Sequence, residues 1–376
     1  SRLIMEHEVF TKLRAEMKRQ GFDALVALTP DNVTYTAGVL IPSHVVNRFR
    51  RTISILAGEN FSAQIVVNVE ENLAREFSRF TNIHSYNQFT ENPSDLLADL
   101  LEDAGISSGR IAIELDFMPA MDYVRLIERL PQATFEHARD IYFHVRMTKT
   151  DEEIERLTEV GVMTEKVIAE ILDGIHPGET EKEVGARIAD KMLRQGADHV
   201  RYHVGSGVRS GITNCDPTDK IIEKNDVLRI EVLGDHNNYR SNVTRTAVVG
   251  KPTQEQKDIW AVLIEAKSKC ESILRPGIQV PNLYQTYVDA CRSGGIEPTL
   301  KFLGHGIGLT IHEEPYITDT RKYPLGPNMT HTMEPLFMIP GKMGFHVEDM
   351  YRITDSGFSR ITGELLPNHD LIEIEF

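Results

Sequence analysis

The sequence predicts an α/β protein built from two domains, on three observations. Helix-like and strand-like patterns alternate over about the first 140 residues, as expected when helices cover a sheet. A break in that alternation falls at Val145-Arg146-Met147-Thr148-Lys149-Thr150. Beyond it, long amphipathic helices with capping signatures lie between β-patterned hairpin segments. The domains are therefore placed at 1–145 and 146–376.

In the first domain, Glu8 to Gln20 and Ser94 to Ala104 read as helices, as does Pro119 to Leu130. Ala24 to Leu28, Ile53 to Leu56, Gln64 to Val67 and Ile111 to Ile113 are short apolar runs of strand length. In the second, a long helix carries Ile154, Leu157, Ile168 and Ile171, and stops at Gly174 and Pro177-Gly178. Thr180 with Glu183 makes a capping box for a helix ending at Gln195. Thr253 with Gln256 makes another, opening a helix with Ile259, Val262, Leu263, Ala266, Cys270, Ile273 and Leu274 on one stripe. Leu228, Ile230 and Val232 alternate with Arg229 and Glu231, so Glu231 points away from the apolar set. Gly234 to Asn238 is rich in turn formers. A hairpin there brings Glu231 and Asn242 onto neighbouring strands.

Composition narrows the function classes. A chain of 376 residues can bury two cores. Its net charge of −15 opposes a nucleic-acid partner, whose phosphates it would repel. No run of about 18 apolar residues predicts a membrane span. The first residues, Ser1 to Met5, lack a secretory pattern and an initiator Met, which is expected from trimming. Three scattered cysteines, Cys215, Cys270 and Cys291, make no disulfide framework, and a cytoplasmic setting is expected.

Candidate chemistry lies in the second half. Leu228-Arg229-Ile230-Glu231-Val232 is followed by Asn242-Val243-Thr244-Arg245-Thr246, then Gly304-His305-Gly306-Ile307-Gly308, His312-Glu313-Glu314-Pro315, Met333-Glu334-Pro335 and Val347-Glu348-Asp349. In order and spacing these segments resemble the pita-bread family of Xaa-Pro peptidases, methionine aminopeptidases and creatinase. Met147 to Ile154 resembles the opening of that family's catalytic domain, and Asp31 to Gly38 a segment of its N-terminal domain. The resemblance implies an α/β N-terminal domain, a C-terminal domain in which helices back a curved antiparallel sheet, and a homodimer.

The family's peptidases hold two metal ions with Asp, Asp, His, Glu and Glu. The corresponding residues here are Glu231, Asn242, His305, Glu334 and Glu348. Three carboxylates give −3, so two divalent ions leave +1 and one leaves −1. The longer Glu231 shifts its oxygens by roughly 1–1.5 Å, beyond the tolerance of a good metal bond. Asn214 falls at the family's catalytic His, and a one-residue shift puts Cys215 there instead. Cys215 is read as a passive thiol rather than a nucleophile.

These departures lead to an expected metal-independent hydrolase, without cofactor, cleaving a C–N bond of a small polar amide, amidine or guanidine, similar to creatinase and ectoine hydrolase. Glu231, Glu334 and Glu348 would share acid and base roles, with His305 as proton shuttle and His312 steadying the intermediate. Asn214, Asn242, Arg50 and His346 are the expected substrate contacts. Arg50 belongs to the run Asn47 to Arg51, where creatinase sends an Arg across its dimer; a solvated face is the plainer reading of that run. Glu231 could instead only ion-pair with Arg229 or Arg245. The alternatives are an Xaa-Pro dipeptidase or aminopeptidase with one Mn, Co, Zn or Fe ion on Glu231, His305, Glu334 and Glu348, a lyase acting on a small zwitterion, and a non-catalytic binding protein.

Overall fold

The computed structural model describes residues 7–47, 49–176 and 178–375. Residues 1–6, Arg48 of the arginine run and Pro177 after the long helix lie outside them. The chain forms two compact units, Ser1–Arg146 and Met147–Phe376.

The first unit is a six-stranded sheet with helices. Its strand order is Ile83–Tyr86, Phe61–Val67, Ile53–Ala57, Ala24–Ala27, Arg110–Ile113 and Thr134–His137. Ile53–Ala57 runs antiparallel to both neighbours, and the remaining pairings are parallel. Val26, Ile55, Ile65 and Ile111 pack with Leu97, Leu101 and Leu126 of the helices in one core. The helix Glu8–Gln20 buries Val9, Phe10, Leu13 and Met17, an i, i+4, i+8 stripe with one flanking residue. Asp31 to Gly38 lies on the helix Pro30–Ala37 and its C-cap, with Thr29 as the N-cap. Two strands, Ile83–Tyr86 and Thr134–His137, have no clear sequence signal. They are the sheet's edges and carry His84, Ser85, Glu136 and His137, so they lack the apolar runs of the central strands.

The second unit is read from its helix starts. Thr150 with Glu153, Thr180 with Glu183 and Thr253 with Gln256 form complete capping boxes. They open the helices Asp151–Asp173, Glu181–Arg194 and Gln254–Ile273. These helices accompany two five-stranded sheets. One has the order Ile372–Ile374, Val243–Val249, Val227–His236, His199–Ser206, with Tyr239–Arg240 as a short partner. The other has the order Glu313–Ile317, Gly304–Gly306, Thr330–Met333, Asp349–Ile353, Phe358–Arg360. Pairings are antiparallel except that of Ile372–Ile374 with Val243–Val249. This is the expected pita-bread architecture. Cys270 and Cys291 are buried core thiols.

Two local features decide where side chains meet. Among the described residues one bridge joins the sheets: Thr244 and Glu348 exchange both backbone hydrogen bonds, each 3.2 Å long. Arg245 clamps this junction. Its Nη1 donates to the carbonyls of Thr244 and Glu348, and its Nη2 to Asp349 Oδ1 at 2.7 Å. Lys267 Nζ donates to the other Asp349 oxygen at 2.8 Å. Burial alone would raise the Asp349 pKa, but Arg245 and Lys267 outweigh it and hold the carboxyl well below its usual range. The second feature is Gly304-His305-Gly306. A Cβ at Gly304 would lie 2.0 Å from the Thr332 carbonyl oxygen, and one at Gly306 2.3 Å from that of Glu314. Only glycines allow the flanking chains to close on His305.

Replacing Arg245 with Met leaves Asp349 buried with one cation fewer and the junction carbonyls without their donor. The substitution is expected to lower the unfolding free energy by about 3–5 kcal/mol, read as a fall in the urea midpoint. A loss below about 1 kcal/mol, the worth of an exposed pair, would show that the junction does not depend on this clamp.

Candidate metal centre

Five chain segments deliver the site. Val227–His236 carries Arg229 and Glu231 on one face, since they are two residues apart on a strand. The following hairpin returns through Tyr239–Arg240 and sets Thr244 directly beside Glu231, with Asn242 on the same face. The Asn242 amide hydrogen-bonds Glu231. Gly304–Gly306 places His305, Thr330–Met333 runs into Glu334, and the bridged segment places Glu348.

His305, Glu334 and Glu348 converge. His305 Nε2 lies 3.3 Å from Glu334 Oε1 and 3.5 Å from Glu348 Oε1. One donor atom from each residue falls within 4.8 Å of the other two. His305 Nδ1 lies 3.0 Å from the Gly306 carbonyl oxygen. A carbonyl only accepts, so Nδ1 carries the proton and Nε2 keeps its lone pair for a metal. Thr244 Oγ1 donates to Glu348 Oε2 at 3.1 Å, which leaves Oε1 turned to the cluster. Glu231 stands outside this tight group. Its nearest cation is Arg229, with Nη1 3.7 Å from Oε2.

Electrostatics and hydrogen bonding point to the same occupant. Burial, reinforced by the Glu348 charge, pushes Glu231 up to about 8. Burial also takes Glu348 up to about 8, and Glu334 well above the carboxylate range beside Glu348 and Glu231. Burial holds His305 down at about 4, as a neutral imidazole. His305 Nε2, Glu334 Oε1, Glu348 Oε1 and Asn242 Oδ1 are buried without a hydrogen-bond partner. Each such atom costs about 1–3 kcal/mol if left so. A neutral imidazole nitrogen and two crowded carboxylates are the donor set that one divalent cation satisfies, and the cation would reverse the carboxylate shifts.

The other expected residues are placed unevenly. The His312 ring stacks on that of His305, with centroids 3.6 Å apart and planes 13° apart. Phe302 meets both rings edge-on. His346 is buried, with Nε2 3.4 Å from Glu334 Oε2 and 3.8 Å from Glu348 Oε2, so it lines the centre. Asn214 is exposed, next to Thr213, whose carbonyl accepts from Arg229. Cys215 is buried, its thiol pushed up by burial and contacted by Arg209 at 3.2 Å, which fits a passive thiol. Arg50 belongs to the first unit, where its Nε donates to Gln88 at 3.0 Å. Arg245 pairs with Asp349 and Glu165, not Glu231. Sequence reasoning missed His203, which lies directly opposite Glu231 on the adjacent strand. The alternation of His199, Arg201 and His203 against Val200, Tyr202 and Val204 was the available signal.

Comparison with known proteins identifies the family. The creatinase/prolidase N-terminal domain matches residues 10–148, and metallopeptidase family M24 matches residues 155–355. The Xaa-Pro dipeptidase of Pyrococcus furiosus is 32% identical over 231 residues, which are 61% of this chain and 66% of that enzyme, just under two thirds of its length. The Xaa-Pro dipeptidase of Lactobacillus helveticus is 26% identical over 359 residues, covering 93% of this chain and 95% of that enzyme. Among solved structures, the Pyrococcus horikoshii prolidase superposes with a TM-score of 0.82 at 26% identity, over 95% of this chain and 98% of that one. The Thermotoga maritima X-Pro aminopeptidase gives 0.85 at 25% identity, over 97% and 99%.

These findings overturn the expected metal-independent, creatinase-like hydrolase without cofactor. Family and relatives point to a divalent metal and to peptidase chemistry. The charge argument counted all three carboxylates together, so that two ions left +1 and one left −1, and took either imbalance as evidence against a metal. His305, Glu334 and Glu348 are a group that could hold one ion, and two carboxylates match the charge of one divalent ion. From its matched domain, its pita-bread architecture and its convergent donors, the chain belongs to metallopeptidase family M24.

Proposed function

We propose that the chain is a metal-dependent Xaa-Pro peptidase acting on short peptides, with one divalent ion held by His305 Nε2, Glu334 and Glu348. The observation that carries this reading is the trio of buried donor atoms, without protein partners, within 4.8 Å of one another. The Xaa-Pro dipeptidase relatives suggest the substrate class. Three protein ligands with a further position open is the arrangement of a catalytic rather than a structural metal site, and an N/O donor set suits Mn, Co, Zn or Fe. When bound, such an ion polarises a carbonyl and makes water acidic enough to attack near neutral pH.

The chain's own residues do the rest. Thr244 fixes the Glu348 carboxylate, and the Gly306 carbonyl fixes the tautomer of His305. His346 lies against the outer oxygens of Glu334 and Glu348 and restricts their rotation. His312, exposed on the far face of His305, is positioned to donate to a peptide carbonyl reaching the cluster. Glu231 supplies a second carboxylate edge for proton transfer. Among the described residues no helix is long and apolar enough to cross a membrane. The homodimer and the cytoplasmic setting belong to the same proposal.

Purified protein reconstituted with Mn, Co, Zn or Fe is expected to cleave a panel of Xaa-Pro dipeptides and to stop when a chelator is added. Turnover indifferent to chelator, or silence across the metal-loaded panel, would reject this function. His305→Ala is expected to weaken metal binding by at least about 100-fold, since second-sphere losses alone reach 10–100-fold. Thr244→Val removes only the hydroxyl on Glu348 and should weaken binding by about 10-fold or more with the fold intact. Calorimetric metal titration of both variants checks these values.

A further inference from the structure

Arg229 is the one strong cation within ion-pair distance of Glu231 among the described residues. It is 1% exposed. Its guanidinium is anchored on one side, where Nε donates to the Ser210 carbonyl at 3.1 Å and Nη2 to the carbonyls of Thr213, at 2.7 Å, and Ile212. Nη1 has no hydrogen-bond partner and lies 3.7 Å from Glu231 Oε2. An arginine keeps its charge at any working pH. Arg229 is therefore a permanent cation, fixed by three carbonyls at the Glu231 end of the centre.

The charges then divide into two locally neutral halves. Glu334 and Glu348 carry −2 and match one divalent ion beside His305. Glu231, when ionised, carries −1 and faces the +1 of Arg229. A second divalent ion bound to Glu231 would share a carboxylate that already has the guanidinium 3.7 Å away. The repulsion between a divalent ion and a fixed guanidinium is twice that of two unit charges at the same distance, and burial leaves it little screened. Asn242 offers only a neutral oxygen against it. We propose that Arg229 is a built-in cation that takes up the Glu231 charge and limits the centre to one divalent ion per chain. The inference rests on the metal-centre reading above and adds its stoichiometry and the residue that sets it.

The test is a manganese titration of the whole protein, read by calorimetry, elemental analysis and electron paramagnetic resonance. The wild type is expected to bind one ion with an isolated-ion spectrum. Asn242→Asp adds a fourth carboxylate but keeps the guanidinium, and is expected to remain at one. Asn242→Asp with Arg229→Met is expected to rise to two ions with a spin-coupled spectrum. Arg229→Gln replaces Arg229→Met if the latter fails to fold, as judged by circular dichroism. Two ions in the wild type or in Asn242→Asp overturn the proposal, as does a folded double variant that stays at one. No ion in any form overturns both this proposal and the metal-dependent function. One ion without Xaa-Pro cleavage overturns the peptidase reading alone.

Discussion

The two-residue bridge between Thr244 and Glu348 is the constraint on which the centre depends. It is the point where the sheet carrying Glu231 and Asn242 meets the sheet carrying His305. The same two residues form the Oγ1–Oε2 hydrogen bond that aims Glu348. Arg245 secures the bridge with two carbonyl contacts and an ion pair to Asp349. A buried pair of this kind gives little net stability against an apolar substitute, but breaking it strands a charge. Its consequence is positional: the ligands come from different sheets, and the junction sets the distance between them.

Around that junction the site separates structural from reactive charge. Asp349, next to Glu348, is saturated by Arg245, Lys267, Thr362 and Asn368 and stays ionised. Glu348 accepts from Thr244 and leaves an oxygen without a partner. Neighbouring carboxylates, Glu348 just before the strand Asp349–Ile353 and Asp349 at its start, thus have opposite partners. His312 stacks on His305 and Phe302 meets both rings edge-on, while burial holds the His305 imidazole neutral.

Much of the framework was legible in the sequence because its signals are local. The capping boxes at Thr150, Thr180 and Thr253 need only residues three apart, and all three form. The Val227–His236 and Val243–Val249 hairpin follows from period-two alternation and a turn-rich connection. Edge strands such as Thr134–His137 escaped because their half-exposed positions carry polar residues. His305, Glu334 and Glu348 could be singled out from motif spacing, and they are the cluster the structure assembles. The role of Arg50 could not be read this way, since a run of arginines serves a solvated face or a binding site equally well.

Sequence alone determined which side chains could form the centre, through the order of strands, turns and glycines that carry them. Only the tertiary structure decided how those charges are partnered. Thr244 and Glu348 are 104 residues apart, and no local pattern reports a contact over that separation. The placement of Arg229 beside Glu231, of His346 against Glu334 and of Arg245 on Asp349 turned a count of unbalanced carboxylates into one ion-ready cluster and one internal ion pair. Coulomb energies depend on distances of a few ångströms, and those distances are fixed by packing between sheets.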